Sequence, residues 1–75
     1  MISVNIMLNT IGDVKNFVNT ISMYDFEVDL TSGRYVIDAK SIMGIFSLDL
    51  SKPIKLEAAC EDDSKLLGDL KTFIV

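Results

Sequence analysis

Three places in this chain carry side chains whose type and spacing suit chemistry. The first is Ser41, which directly precedes the apolar run Ile42-Met43-Gly44-Ile45-Phe46 and follows Lys40. A serine so placed can cap a helical turn by accepting a backbone N–H. It can also take a phosphoryl group, which would add about two negative charges and three strong acceptor oxygens to the surface. The second is Thr10 with Asp13 three residues on, the spacing of a capping box at a helix start. A threonine hydroxyl is a poor nucleophile without an adjacent base, and none adjoins Thr10, so these residues read as a helix cap. The third is the set Glu27, Asp29 and Asp38. Alternating with apolar residues, they fall on the water-facing side of two strands, where they could draw a basic partner or a cation. Carboxylates spread along strands rarely converge on a metal, so a solvated face is the better reading.

What the composition leaves out is as informative. The 75 residues contain no histidine, which removes the usual general base, pH switch and commonest metal ligand. One cysteine, Cys60, cannot close an internal disulfide or build a multi-cysteine zinc site. On the apolar side of its strand it is expected to be buried and inert. The four methionines share no spacing that would suggest a metal site. No cofactor, metal or enzymatic role is therefore expected. The net charge of -4 argues against nucleic acid. No segment approaches the roughly 18 apolar residues of a membrane span, and the start of the chain has no signal-peptide pattern. A lone thiol fits the cytoplasm. The mean hydropathy of +0.38 is high for a chain of this size, so apolar surface should remain exposed and invite protein partners or weak self-association.

The elements that position these residues follow from periodicity. Ile2, Val4, Ile6 and Leu8 alternate with polar residues, as in a half-buried strand over 2–8. Ile11, Val14, Phe17, Val18 and Ile21 recur at helical spacing, which predicts a helix over 11–23. Phe26, Val28 and Leu30 form a second strand, Thr31-Ser32-Gly33 a turn, and Tyr35, Ile37 and Ala39 a third strand. Ser41 to Leu50 has room for only one or two helical turns before Pro53. Ile54, Leu56, Ala58 and Cys60 form a fourth strand. A last helix is predicted over 62–74, with Glu61-Asp62-Asp63 at its positive end and Leu66, Leu67, Leu70, Phe73 and Ile74 as its stripe. Gly68 inside it suggests close packing on the sheet. The order β-α-β-β-α-β-α gives one α+β domain over residues 1–75. Each strand has one apolar face, so the helices should cover one side of a four-stranded antiparallel sheet. A ferredoxin-like split βαβ needs two full crossover helices; the short second one here favours an open-faced sandwich.

The nonapeptide Lys40-Ser41-Ile42-Met43-Gly44-Ile45-Phe46-Ser47-Leu48 closely resembles the Lys-Ser-Ile-Met-Gly-x-x-Ser-Leu signature of HPr. HPr is the small phosphocarrier of the bacterial phosphoenolpyruvate-dependent sugar phosphotransferase system. The resemblance implies an open-faced β-sandwich of this same element order. HPr carries Gly-Ile-His-Ala-Arg-Pro at the start of its first helix. Its histidine accepts a phosphoryl group from Enzyme I, and its arginine helps to hold that group. Here the histidine position falls at or near Thr10, the arginine position near Gly12 and the proline position near Asp13. Nucleophile, cation and rigid helix start are all missing, and Asp13 would repel an anion where a helix start otherwise suits one. A histidine-lacking precedent exists in the catabolite-repression HPr-like proteins, which keep a regulatory serine. HPr kinase/phosphorylase modifies that serine, and the product binds catabolite control protein A. By this resemblance Ser41 is the regulatory phosphorylation site, and Ile42, Met43 and Phe46 are the partner-binding residues. The implied role is regulation or adaptation within the phosphotransferase system, with protein partners such as that kinase, a catabolite regulator or phosphotransferase components. A phosphocarrier with a non-histidine site, and a purely structural or oligomerising domain, are the alternatives.

Overall fold

The computed structural model describes residues 2–60 and 64–75; the acidic run Glu61-Asp62-Asp63 lies outside them. The order is β1 (Ile2–Ile6), α1 (Ile11–Ile21), β2 (Val28–Ser32), β3 (Tyr35–Asp38), α2 (Ile42–Phe46), β4 (Ile54–Ala58) and α3 (Ser64–Asp69). The strands form one antiparallel sheet in the order β1-β4-β2-β3. The expected α+β open-faced sandwich is the fold observed.

Alternation sorts the residues of the sheet. Ile6, Val28, Leu30, Ile54, Leu56 and Ala58 are buried on the covered face, while Ser3, Asn5, Asp29 and Lys55 stay exposed on the other. Val14, Phe17 and Ile21 of α1, Ile45 of α2 and Leu66 of α3 complete the core, with Leu70 and Phe73 beyond α3. Phe17 and Phe73 meet edge to face at 5.7 Å, a favoured aromatic geometry.

Several elements are shorter or shifted from the expectation. Helix α1 ends at Ile21 with Ser22 as its cap, two residues before Met23. Ile11 is 64% exposed, because at 100° per residue it lies roughly 90° away from the stripe of Val14, Phe17 and Ile21. β1 stops at Ile6, although Leu8 remains buried in the link that follows.

Strand β2 runs to Ser32, so Thr31 and Ser32 belong to the ladder and not to the turn. Ser32 pairs with Tyr35, and only Gly33 and Arg34 form the hairpin loop. Gly33 has φ +61 and no non-glycine residue has positive φ among the described residues. That is the demand of a type II′ turn, met by glycine at the first central position. Tyr35, expected to face the core, is 71% exposed. It sits at the hairpin tip of an edge strand and borders an open cleft.

The C-terminal region departs most. Among the described residues helix α3 runs Ser64–Asp69 and ends five residues short of the expected 74; the expected start at 62 lies outside the described residues. Leu70 and Phe73 are buried as the helical stripe requires, but the backbone leaves the helix to join β1. Met7 N–H donates to Phe73 O (2.8 Å), Val75 N–H donates to Asn5 O (3.1 Å), and Ile6 bridges Ile74. This segment satisfies the polar edge that β1 would otherwise leave open. Gly68 is exposed and a Cβ there would meet open space, so close packing is not its role. Cys60 lies beyond the end of β4 and is half-buried rather than fully buried.

Candidate functional site

Asp38 closes β3 and starts the approach to α2. Its carboxylate accepts the N–H of Lys40 (2.8 Å), and its carbonyl accepts the N–H of Ser41 (3.0 Å). This turns the chain so that Ser41 arrives in extended conformation, φ -95 and ψ 97, as the cap of α2. Its Oγ accepts the N–H of Gly44 at 3.2 Å, and its carbonyl accepts that of Ile45 at 3.0 Å. A Cβ at position 44 would stand 3.1 Å from Ser41 Oγ and 3.4 Å from Ile37 Cδ1, so a side chain there would press these neighbours back by a few tenths of an ångström. At the other end, Ser47 Oγ donates to Gly44 O at 2.5 Å.

One turn of helix cannot bury every side. Ile45 is fully buried and Leu48 nearly so, while Met43 is 76% and Phe46 39% exposed. Ile42 is half-buried against the core. The exposed Ser41 hydroxyl is thus followed by apolar side chains left outside the core. Lys40 does not turn toward Ser41. Its Nζ reaches back to donate to Tyr24 O at 2.7 Å.

The start of α1 is built differently. Thr10 Oγ1 accepts the N–H of Asp13 at 3.0 Å, and Asp13 Oδ2 accepts the N–H groups of Asn9 (3.1 Å) and Thr10 (3.3 Å). Three backbone donors that could have faced an external anion are taken by the chain's own oxygens. Thr10 and Gly12 are exposed.

Glu27, Asp29 and Asp38 are not a cluster of three. Glu27 precedes β2, where its carbonyl accepts the N–H of Ala59 (2.9 Å). Asp29 stands opposite Asp38 on one side and Glu57 on the other, so the open face carries a row of three carboxylates. Glu57 joins the row only through the register of β2 on β4. Lys55 pairs loosely with Glu57 at 3.9 Å. Among the described residues no group of acidic, cysteine or histidine side chains could hold a metal ion.

Two further features escaped the sequence. Tyr24 donates its hydroxyl to Asp69, stacks obliquely on Phe26 at 5.2 Å and lies under Lys65 Nζ at 5.7 Å. The hydrogen bond to Asp69, aided by desolvation and the carboxylate's charge, pushes the Tyr24 pKa up to about 12. A cleft of about 400 Å³ opens between the β2–β3 hairpin and the segment after α2, lined by Arg34, Tyr35, Leu48, Asp49 and Lys52 among others. Hydrogen bonds from Ser51, with Lys52 nearby, hold the Asp49 carboxyl below its usual range. Ser41 is exposed and does not line this cleft, which suits recognition by a protein surface better than by a small ligand. No helix among the described residues is long and apolar enough to cross a membrane.

The family model described as "PTS HPr component phosphorylation site" matches residues 14–75. The matched stretch includes Lys40 to Leu48 and begins directly after Asp13. Among solved structures, the chain is similar to the crystal structure of HPr-C-His from Thermoanaerobacter tengcongensis. The identity is 28% and the TM-score 0.79, over 96% of this chain and 89% of that one. No curated protein sequence matches.

Proposed function

The chain belongs to the PTS-HPr family, a family of phosphocarrier proteins of the phosphotransferase system, and we propose that it serves there as a regulatory adaptor rather than as a carrier. Ser41 is the phosphorylation site in this reading, and Ile42, Met43 and Phe46 are the surface a protein partner reads. The observation that carries it is the exposed Ser41 hydroxyl at the start of α2 with Met43 and Phe46 exposed beside it.

The histidine-based carrier chemistry has no acceptor. The chain has no histidine, and the first turn of α1 is closed by Thr10 and Asp13. A phosphate on Ser41 would keep the capping role, because its oxygens can accept the Gly44 N–H as the hydroxyl does. Lys40 is held by Tyr24 O, so it does not fold over to cancel the new charge. The charge therefore projects outward beside the apolar patch, where a partner with arginines around an apolar pocket would read both together.

The test is labelling by an HPr kinase on wild type and Ser41→Ala, with Enzyme I and phosphoenolpyruvate in a parallel reaction. The kinase labels wild type and not Ser41→Ala, and Enzyme I leaves no acid-labile phosphate. Phe46→Asp folds normally but loses binding of the phosphorylated form to its regulator. Label persisting in Ser41→Ala, or stoichiometric transfer from Enzyme I, overturns the reading.

A further inference from the structure

We infer that this protein self-associates through the free edge of β3, forming a two-fold dimer in which two copies of Tyr35–Asp38 pair antiparallel about Val36. The two edges of the sheet are unequal. β1 is covered by the segment around Ile74, whereas β3 has β2 on one side only. Exposed strand edges usually carry lysine, proline or a bulge that discourages pairing. β3 reads Tyr35-Val36-Ile37-Asp38 and has none of these three; of the other devices it has its four-residue length and one charge, Asp38. Tyr35 is 71% and Val36 64% exposed.

The backbone fixes which groups face outward. The two-residue loop makes Ser32 and Tyr35 a hydrogen-bonded pair, and Ala39 N–H donates inward to Val28 O. By antiparallel alternation, the N–H and C=O of Val36, the N–H of Asp38 and the C=O of Arg34 point away from β2. The outward groups of Val36 can therefore be exchanged with those of a second copy.

That register is self-complementary. With Val36 opposite Val36 of the second copy, Arg34 stands opposite Asp38 and Tyr35 opposite Ile37, each twice. The Asp38 N–H finds Arg34 O across the axis, giving four main-chain bonds in all. Charge favours the same arrangement. Asp38 already faces Asp29 within the sheet, and like charges directly opposed are unfavourable. Arg34 forms no ion pair among the described residues, and the axis brings it to the other side of Asp38. A slip of one residue sets inward-facing groups at the junction and removes both charge pairs.

The paired edge is short, well below a standard interface of about 1,600 Å², so the dimer forms weakly and reversibly. Sedimentation velocity and amide NMR of the intact chain, over a dilution series, test it with Arg34→Asp and Asp38→Arg. The Val36 and Asp38 amide signals of wild type move with concentration. Each variant, folded by circular dichroism, dimerises at least about tenfold more weakly. An equimolar mixture of the two recovers association. In the mixed dimer the two introduced side chains, an aspartate at position 34 and an arginine at position 38, face each other across the axis, and the native Arg34 and Asp38 form the other pair. Wild type that stays monomeric at about 1 mM, variants that associate as wild type does, or a mixture that does not recover overturns the inference.

Discussion

Removing the cap of α1 measures how firmly that helix start is closed. Thr10→Ala deletes one hydrogen bond, from Asp13 N–H at 3.0 Å. Asp13→Ala deletes two, from the N–H groups of Asn9 and Thr10. Loss of a threonine cap typically costs about 1 kcal/mol. The bonds of Asp13 are exposed and replaceable by water, so their loss is set at about 1 kcal/mol together. For a chain of this length total stability is roughly 4–11 kcal/mol, and each kcal/mol lowers the melting temperature by about 4–8 °C. Each single variant should thus melt about 4–8 °C below wild type. Thr10→Ser, which keeps the hydroxyl, should stay within about 0.5 kcal/mol. The double variant should lose less than the sum, because fraying of the first turn after either change also weakens the other bond. Urea denaturation of the wild type and these variants supplies the numbers. Inorganic phosphate, which stabilises folded proteins generally by exclusion from their surface, should raise the wild-type midpoint only gradually and without saturation, since the Asp13 carboxylate stands at the helix start and takes the N–H groups of Asn9 and Thr10. A Thr10→Ala cost below about 0.3 kcal/mol, or a midpoint that rises with phosphate and saturates as binding does, would refute the closed cap and reopen α1 as an anion site.

Two other outcomes follow from contacts already described. Because the folded-state pKa of Tyr24 is raised to about 12 from 10.0, its contribution to stability is whole below pH 10 and is lost as the pH rises toward 12. Alkaline denaturation compared between wild type and Tyr24→Phe, with tyrosinate absorbance as the probe, should show that extra loss in wild type only. Phe73→Ala removes a buried ring that meets Phe17 and should cost about 3–5 kcal/mol. A chemical-denaturation loss under about 1 kcal/mol would mean that the C-terminal segment is not packed on the core.

What the sequence revealed and what it hid divide by the range of the interaction. The capping box of Thr10 and Asp13 and the cap at Ser41 were legible, because each is settled within three residues. The alternation of Val28, Leu30, Leu56 and Ala58 gave the strands and the single covered face. The end of α3 was not legible. Leu66, Leu70 and Phe73 keep a helical rhythm through a stretch that has already left the helix, and only the edge of β1 explains the change of course. Register was likewise out of reach: nothing local to Asp29 says that Asp38 and Glu57 flank it. The bond from Tyr24 to Asp69 spans two regions far apart in the chain and left no trace in either. The end of β2 was misplaced because Thr31 and Ser32 have turn chemistry, yet Gly33 alone meets the positive φ of the loop.

The partners of β1 also govern how the molecule comes into being. Ile6 pairs with Ile54 and Ile74, so the first strand finds its neighbours only about 50 residues later and beyond, a separation that raises contact order and slows folding. The β2–β3 hairpin can close on itself within microseconds, but β1 must wait for β4 before any ladder forms along it. During synthesis Ile2, Val4 and Ile6 therefore emerge as an apolar, unpaired strand and stay so until most of the domain has left the ribosome. That interval, rather than the finished fold, is when this protein is most open to aggregation.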